Sequence, residues 1–272
     1  MSHTYASVED FRQFLIDGGD SDWTDADSTI LTLLEGASRR IEEWADRSQF
    51  GSGFGPRTGT NRYDFPADAT TLRLDDDLLA ITSISAVSGG GTVTLTDETQ
   101  VYKLPYDTTP YRELTLVTTG SGSWGSDQRG NLIAGTWGYS NETASLGTAA
   151  GSASASATSL VLGGGSAYAG NTLLIGSEQL YVTASGGTAT VVRGVNGTTA
   201  GTVALGTAIS VYRYPRGVVT ACLQIAQRRH RSAQSGLTGD FGGGAISVTS
   251  HRDSEMSILK ATMGALRRWS AG

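Results

Sequence analysis

The stretch from Thr24 to Phe50 constrains the fold most, because its apolar residues repeat at helical spacing. These residues form a single stripe along the predicted helix: Ile30, Leu33, Leu34, Ala37, Ile41, Trp44 and Ala45. Thr24 and Asp27 match a capping box, and Gly51 is expected to end the helix. A stripe this wide must be covered by another part of the chain.

The opposite face of the predicted helix is polar and mostly charged. It carries Glu35, Ser38, Arg39, Glu42, Glu43 and Asp46. Glu35 precedes Arg39 by four residues, so we expect these two side chains to form an ion pair on the helix surface.

Composition limits the classes of protein that this chain can belong to. Its 272 residues suffice for one large or two small domains, and 37 glycines against 5 prolines favour tight β structure. No window approaches 18 apolar residues, and the N-terminus lacks a basic region followed by an apolar run, so neither a membrane span nor a secretory signal is predicted. Cys222 is the single cysteine, which excludes an internal disulfide.

The elements around this helix alternate between helical and β character. A capping box at Ser7–Asp10 opens a short helix that ends at Gly18-Gly19. Residues 61–139 have the pattern of short antiparallel strands, and residues 141–157 have a linker composition. More strands and an Asn196-Gly197 turn follow, so residues 143–213 are interpreted as an inserted module with adjacent ends.

Two further helices are predicted near the C-terminus. Pro215 opens the first, which has Cys222 on its apolar side and is the natural partner for the stripe of residues 30–45. Asp253 or Ser254 is expected to cap the last helix, which ends near Arg267-Arg268.

These elements predict an α+β fold with a small helical hub. Residues 1–50 and 214–272 are predicted to form the hub and a C-terminal arm. Residues 51–140 are predicted to form an antiparallel β domain, and residues 141–213 an inserted β module.

Charge is unevenly distributed along the chain. Residues 1–50 carry 11 acids and 4 bases, a net −7, whereas residues 212–272 carry 3 acids and 9 bases, a net +6. An acidic N-terminal segment and a basic C-terminal segment favour charge-complementary contacts between subunits or with partners. Tight binding to duplex DNA requires positive side chains that neutralise the phosphates. A chain with an overall charge of −6 is therefore a poor candidate for it.

No arrangement of residues indicates catalysis. The glycines of residues 51–55 follow a helix and lack the context of a phosphate-binding loop, and the three histidines lie far apart. We interpret Asp75-Asp76-Asp77 as a solvated turn rather than a cation site. Cys222 is interpreted as a buried thiol. We therefore predict a protein that is not an enzyme and has no catalytic, cofactor or metal site.

One pattern of segments resembles a known family. The segments are YASVEDFRQFL, DSTILTLLEGASRRIEEWADRSQF, RYDF, LRLDDDLLAITSI, GTWGY and PRGVVTACLQIAQRRHR. Together, over Tyr5–Tyr139 and Pro215–Trp269, they resemble the head–tail connector (adaptor) proteins of tailed bacteriophages, which are built from a few helices around a small β insertion. Residues 178–215 are similar to modules inside some connectors, although the smaller connectors lack them.

The resemblance implies a structural role in the virion, at the head–tail joint, after assembly in the host cytoplasm. Such proteins form a ring, commonly dodecameric, under the portal protein. The ring extends the DNA channel without binding a specific sequence, and it provides a platform for the stopper or tail-completion protein.

Two sets of residues are candidates for these contacts. The portal-binding arm is assigned by the resemblance to the last helix, with Leu259, Met263, Leu266 and Trp269; packing of that helix on its own subunit is the alternative. The candidates for a subunit interface or channel lining are Glu35, Arg39, Glu42, Glu43, Asp46, Arg228, Arg229 and Arg231. For the basic run 228–231, helix capping and contacts between subunits are favoured over nucleic acid.

Two other functional classes remain open. The strand-rich residues 143–213 are alternatively a surface-binding module that recognises a glycan or another virion protein, with the helical part as its anchor. An enzyme with a cell-wall role is the third hypothesis, but no His, Asp or Glu spacing supports it.

Overall fold

The computed structural model describes residues 3–19, 25–47, 53–117, 122–234 and 249–266. Within these residues the chain forms four α-helices and two antiparallel β-sheets, so the predicted α+β class is confirmed. The chain divides into two compact units. One comprises Met1–Gln49 with Glu142–Gly272, and the other comprises Phe50–Asn141.

Helix α1 spans Val8–Asp17 and begins as its sequence predicts. The Ser7 hydroxyl accepts a hydrogen bond from the Asp10 backbone N–H, and the Asp10 carboxylate accepts one from the Ser7 N–H. This reciprocal pair satisfies two backbone donors at the helix start. Gly18 ends the helix.

Helix α2 spans Asp27–Trp44, which is shorter than the predicted 24–50. The predicted capping box is wrong, because Ala26 is the N-cap and provides no side-chain hydrogen bond; Thr24 and Gly51 lie outside the described residues. At the other end, Asp46 has φ +58, and the Asp46 and Arg47 N–H groups donate to the Glu43 and Glu42 carbonyls. This is a Schellman motif, so the chain leaves the helix well before Gly51.

The apolar stripe of α2 packs against helix α3, which spans Arg216–Gln234, and the predicted partnership of the two helices is confirmed. The stripe is buried at Ile30, Leu34, Ala37 and Ile41. Cys222 on α3 places its Sγ 3.5 Å from Ser38 Oγ and 3.8 Å from the Leu34 carbonyl oxygen.

Helix α4 spans Thr249–Met263 and continues as a 3-10 turn at Gly264–Leu266. The predicted cap at Asp253 or Ser254 is wrong, because both residues lie inside the helix. Helix α4 packs on α3 so closely that a side chain at Gly217 would collide with the Thr262 carbonyl oxygen. Glycine at residue 217 therefore permits the contact.

The first sheet lies within the unit Phe50–Asn141. Its strands are β1 Arg57–Tyr63, β2 Thr71–Ser88, β3 Gly91–Leu95, β4 Val101–Leu104, β5 Tyr111–Leu116 and β6 Asn131–Trp137. They are ordered β1-β6-β2-β5-β4, and β3 also pairs with β2. Strand β2 continues through residues 75–77, where a turn was predicted, and it has register shifts against β5 and β6.

The three aspartates at 75–77 lie within β2 and not in a solvated turn, so that interpretation is wrong. Asp76 and Asp77 are buried, and their carboxylates pair with Arg57 at 3.2 Å and Arg112 at 3.4 Å. These ion pairs allow the carboxylates to remain inside a strand.

The second sheet contains β7 Thr143–Thr148, β8 Ser159–Val161, β9 Thr172–Ile175, β10 Glu178–Ala184, β11 Thr188–Val192 and β12 Ala208–Tyr212, in the order β7-β12-β9-β10-β11-β8. The predicted linker 141–157 is wrong at β7, where Ala144 and Leu146 pack on the sheet core. A β-bridge between Ala149 and Leu162 joins the chain after β7 to the chain after β8. The two edges of the sheet therefore meet at one end.

The second sheet belongs to the same compact unit as the helices. The Val8 N–H donates to the Ala169 carbonyl at 2.9 Å, and the Tyr181 hydroxyl donates to Glu35 at 2.9 Å. The ends of the module are adjacent, since the Arg213 N–H donates to the Glu142 carbonyl. The predicted division of the chain into hub, β domain and inserted module stays a prediction.

Candidate interaction surfaces

A buried polar cluster fastens the N-terminal segment to α2. His3 Nε2 lies 2.8 Å from Glu42 Oε1, and the Tyr5 hydroxyl donates to the same oxygen at 2.6 Å. Arg39 Nη1 lies 2.8 Å from the other Glu42 oxygen, and Arg39 Nη2 donates to the His3 carbonyl. Both His3 and Glu42 are only 4% exposed, so these two groups are closed to ligands.

The electrostatics of this cluster favour a charged Glu42 beside a neutral His3. Burial lowers the pKa of His3, although its hydrogen bond to Glu42 opposes that effect. Burial acts to raise the pKa of Glu42, but the hydrogen bonds from His3 and Tyr5 and the Arg39 charge outweigh it, so the pKa is lowered. The arrangement is suited to fixing the N-terminal segment in place.

The predicted charged face of α2 is only partly exposed. Ser38 and Glu42 are buried, so placing them on that face was wrong. Arg39 pairs with Glu42 instead of the predicted Glu35, because Glu42 is the carboxylate buried beside it. Glu35 and Glu43 are exposed.

The basic residues of α3 lie in different environments. Arg229 Nε lies 3.0 Å from Glu255 Oε1, and Arg40 Nε on α2 lies 3.5 Å from Glu255 Oε2. Glu255 therefore links three helices, a role that no sequence pattern indicated. Arg228 is half-buried and Arg231 is exposed.

The predicted portal-binding residues face their own subunit where they are described. Leu259 is fully buried and Met263 nearly so, while Leu266 is half-buried. Trp269 lies outside the described residues. Their role in portal binding stays a prediction.

A polar groove of about 630 Å³ lies between the second sheet and the start of α3. It is lined by residues 4–7, 142–144, 170–172 and 211–216, with further residues of α1 and α3. Arg213 and Arg216 are exposed at the groove. Burial raises the pKa values of Tyr212 and Tyr214 to about 12, so both phenols remain hydrogen-bond donors at neutral pH. No sequence pattern indicated this groove, because its residues are distant in the chain.

The described residues contain no group of three or more His, Cys, Asp and Glu side chains placed to hold a metal ion. Burial raises the pKa of Cys222 to about 11, which leaves a protonated thiol. Among the described helices, none has an apolar stretch of the length needed to span a membrane.

Comparisons with known proteins give one weak structural similarity. No family model matches the chain, and no curated protein matches it. A solved chain described as "Neck of empty GTA particle computed with C6 symmetry" is similar, with 14% identity and a TM-score of 0.35. The match covers 50% of this chain and 65% of that one, so it spans less than two thirds of that chain's length. A likeness of this strength establishes neither the fold nor the role of this chain.

Proposed function

We propose that this chain is a structural head–tail connector of a tailed-phage-like particle and that it catalyses no reaction. The observation that supports this most is the packing of α2 on α3, which brings together helices from the two sides of a long β excursion. Residues Phe50–Asn141 form a compact β unit between these helices in the chain. Helices around a β insertion are the architecture that the resemblance to connector proteins implies.

The proposed assembly is a homo-oligomeric ring, dodecameric as is common in that family, beneath the portal protein. Its other side would receive the stopper or tail-completion protein, and DNA would pass through its channel without sequence-specific binding. The exposed Glu35 and Glu43 suit such a channel or a subunit contact, because carboxylates repel phosphates and attract basic neighbours. Glu42 does not take part, since it is buried.

The structure refines how α4 would meet a portal. Leu259 and Met263 already pack within the subunit, so a portal contact that leaves α4 in place would use its exposed side. That side carries Ser257, Lys260 and Ala261.

Native mass spectrometry of the full chain, alone and mixed with the portal protein of the same particle, tests the proposal. We expect a closed oligomer, or a monomer that assembles once portal is added. A chain that stays monomeric and ignores the portal would refute the connector role.

Charge reversal tests the exposed face of α2. The double variant Glu35→Lys and Glu43→Lys should weaken ring assembly. It should also lower the free energy of unfolding by about 2 kcal/mol, because Glu35 accepts a hydrogen bond from the Tyr181 hydroxyl and Glu43 pairs with Arg40. Glu42→Gln is the matched control: it should destabilise the subunit without a specific loss of assembly, because Glu42 lies in the buried cluster. Unchanged assembly of the double variant would remove this face from the interface.

A virion surface-binding role for residues 143–213 is the second candidate. Val161, Val192 and Leu205 on this segment are exposed apolar side chains, and Leu205 is 71% exposed. A short closure can replace the segment, because Glu142 and Arg213 are hydrogen-bonded neighbours. The deletion is informative once the helices are shown to stay folded without their contacts to Ala169 and Tyr181. Particles that assemble but adsorb poorly would support this role, whereas failed head–tail joining would place the segment in the joint.

A further inference from the structure

The first half of β7 has an open edge. The Arg213 N–H donates to the Glu142 carbonyl, so the alternation of an antiparallel pair makes Ala144–Val211 the next hydrogen-bonded pair. Thr143 and Ser145 are then opposite Tyr212 and Ser210 in non-hydrogen-bonded pairs. Their backbone N–H and C=O groups therefore point away from β12.

The second half of β7 is less accessible. The Gly163 N–H donates to the Thr148 carbonyl at 2.7 Å, and Gly165 lies close to the Leu146 carbonyl oxygen. The open edge is therefore a short stretch with two N–H donors and two C=O acceptors. This stretch adjoins the polar groove, which Thr143 and Ala144 also line.

Two exposed arginines, Arg213 and Arg216, line the groove. Neither Arg213 nor Arg216 makes an ion pair with a described residue. Of the two acidic residues in the groove, Asp10 already accepts bonds from the Ser7 N–H at 2.8 Å and hydroxyl at 2.7 Å, and Glu142 makes a further contact within the chain. An occupant with carboxylates would complement the two arginines.

We propose that this site binds an extended, acidic segment of a partner protein by β-strand addition to Thr143–Ser145. The backbone of the added strand pairs with the open edge, and its acidic side chains reach Arg213 and Arg216 across the groove. Main-chain hydrogen bonds supply affinity and the arginines supply selectivity. The site does not depend on the connector role, so its test is independent of ring assembly.

Fluorescence polarisation with labelled peptides tests the site on the full chain. The probe is the β-prone acidic peptide ETVTVE, and the controls are KTVTVK, with reversed charge, and EPVPVE, with fewer backbone donors. We expect ETVTVE to bind at least tenfold more tightly than either control. Equal binding of ETVTVE and KTVTVK, or no binding of ETVTVE, would overturn the proposal.

Variants separate the edge from the arginines. Ser145→Pro removes an outward N–H without touching the pairs to β12, so it should abolish binding with little change in the melting temperature. Ser145→Ala keeps the N–H and should bind as the wild type does. Arg213→Ala with Arg216→Ala should weaken ETVTVE binding about tenfold.

Two outcomes would count against strand addition even if a ligand binds. One is unchanged ETVTVE affinity in folded Ser145→Pro, or in the double arginine variant if Ser145→Pro fails to fold. The other is a single-stranded oligonucleotide that displaces the peptide and binds Ser145→Pro as tightly as the wild type. In that case the arginines would bind the phosphate groups of a nucleic acid.

Discussion

The two β-sheets of this protein are stabilised in different ways. The core of the first sheet is built around large aromatic side chains, with Tyr63, Trp124 and Trp137 buried among aliphatic residues. Residues 142–213 contain no tryptophan or phenylalanine, and their core consists of Ala, Val, Leu and Ile. The second sheet therefore buries smaller side chains in its core. It also has long segments outside its strands, such as residues 193–207.

A buried ion pair holds those segments. Arg193 Nε and Nη2 each lie 2.7 Å from a different oxygen of Glu178. The Gly194 and Gly201 N–H groups donate to the same carboxylate, and Arg193 Nη1 donates to the Ser154 carbonyl. The first sheet therefore has large aromatic side chains in its core, whereas the second combines an aliphatic core with a buried polar network.

The largest effect is expected from Trp137→Ala in the first sheet. Trp137 is fully buried and its indole N–H donates to the Gly59 carbonyl at 3.0 Å, so the variant should lose about 3 to 5 kcal/mol of unfolding free energy. Chemical denaturation followed by hydrogen exchange will show whether the loss falls on residues 53–141. The exposed Tyr106→Ala is the control and should change stability by less than about 0.5 kcal/mol.

Glu178→Gln tests the polar network and should cost about 2 to 3 kcal/mol, because an amide NH₂ would face donors that now share a carboxylate. Faster hydrogen exchange is expected in residues 149–207, and little change in the first sheet. Glu9→Gln, on the exposed side of α1, provides the control. Equal effects on both sheets would contradict the comparison.

Acid should weaken the second sheet through the same carboxylate. Burial acts to raise the pKa of Glu178, but hydrogen bonds from Arg193, Gly201 and Gly194 outweigh it and the pKa lies below the ordinary 4.5. The stabilisation is therefore complete above pH 4.5 and is lost as pH falls through the lowered pKa. Unfolding free energies at pH 6 and pH 3 should differ less in Glu178→Gln than in the wild type.

The smallest effect is expected outside both sheets, at the start of α1. Ser7→Ala removes the hydroxyl that accepts the Asp10 N–H, so it should cost about 1 kcal/mol. Ser7→Gly should cost less, because glycine is tolerated as an N-cap. A thermal shift of both variants will measure this, and an effect as large as that of Glu178→Gln would contradict the assigned order.

Strong periodic patterns predicted much of the fold. The stripe at Ile30, Leu34 and Ile41 located α2 and required a partner, which α3 provides. The strand β7 was missed because Thr143–Thr148 is composed mostly of small and polar residues, and an edge strand needs few apolar side chains. The end of α2 was misplaced because Asp46, and not a glycine, adopts the left-handed conformation.

The candidate surfaces were harder to predict, because they depend on contacts between distant residues. Glu42 has the spacing of an exposed helix position, and only His3 and Tyr5 show that it is buried. The groove forms only where residues near 4, 143, 171 and 213 lie side by side, and no local sequence pattern predicts contacts between such distant residues. The charge imbalance indicated binding surfaces but not their location.

Electron microscopy of the assembled head–tail joint, at a resolution that traces side chains, tests the connector role most directly. We expect copies of this chain in a closed ring beneath the portal, with the helices α2 and α3 of each copy packed together and DNA passing through the centre. Density for the chain on the particle surface away from the joint, or a joint completed without it, would contradict the account.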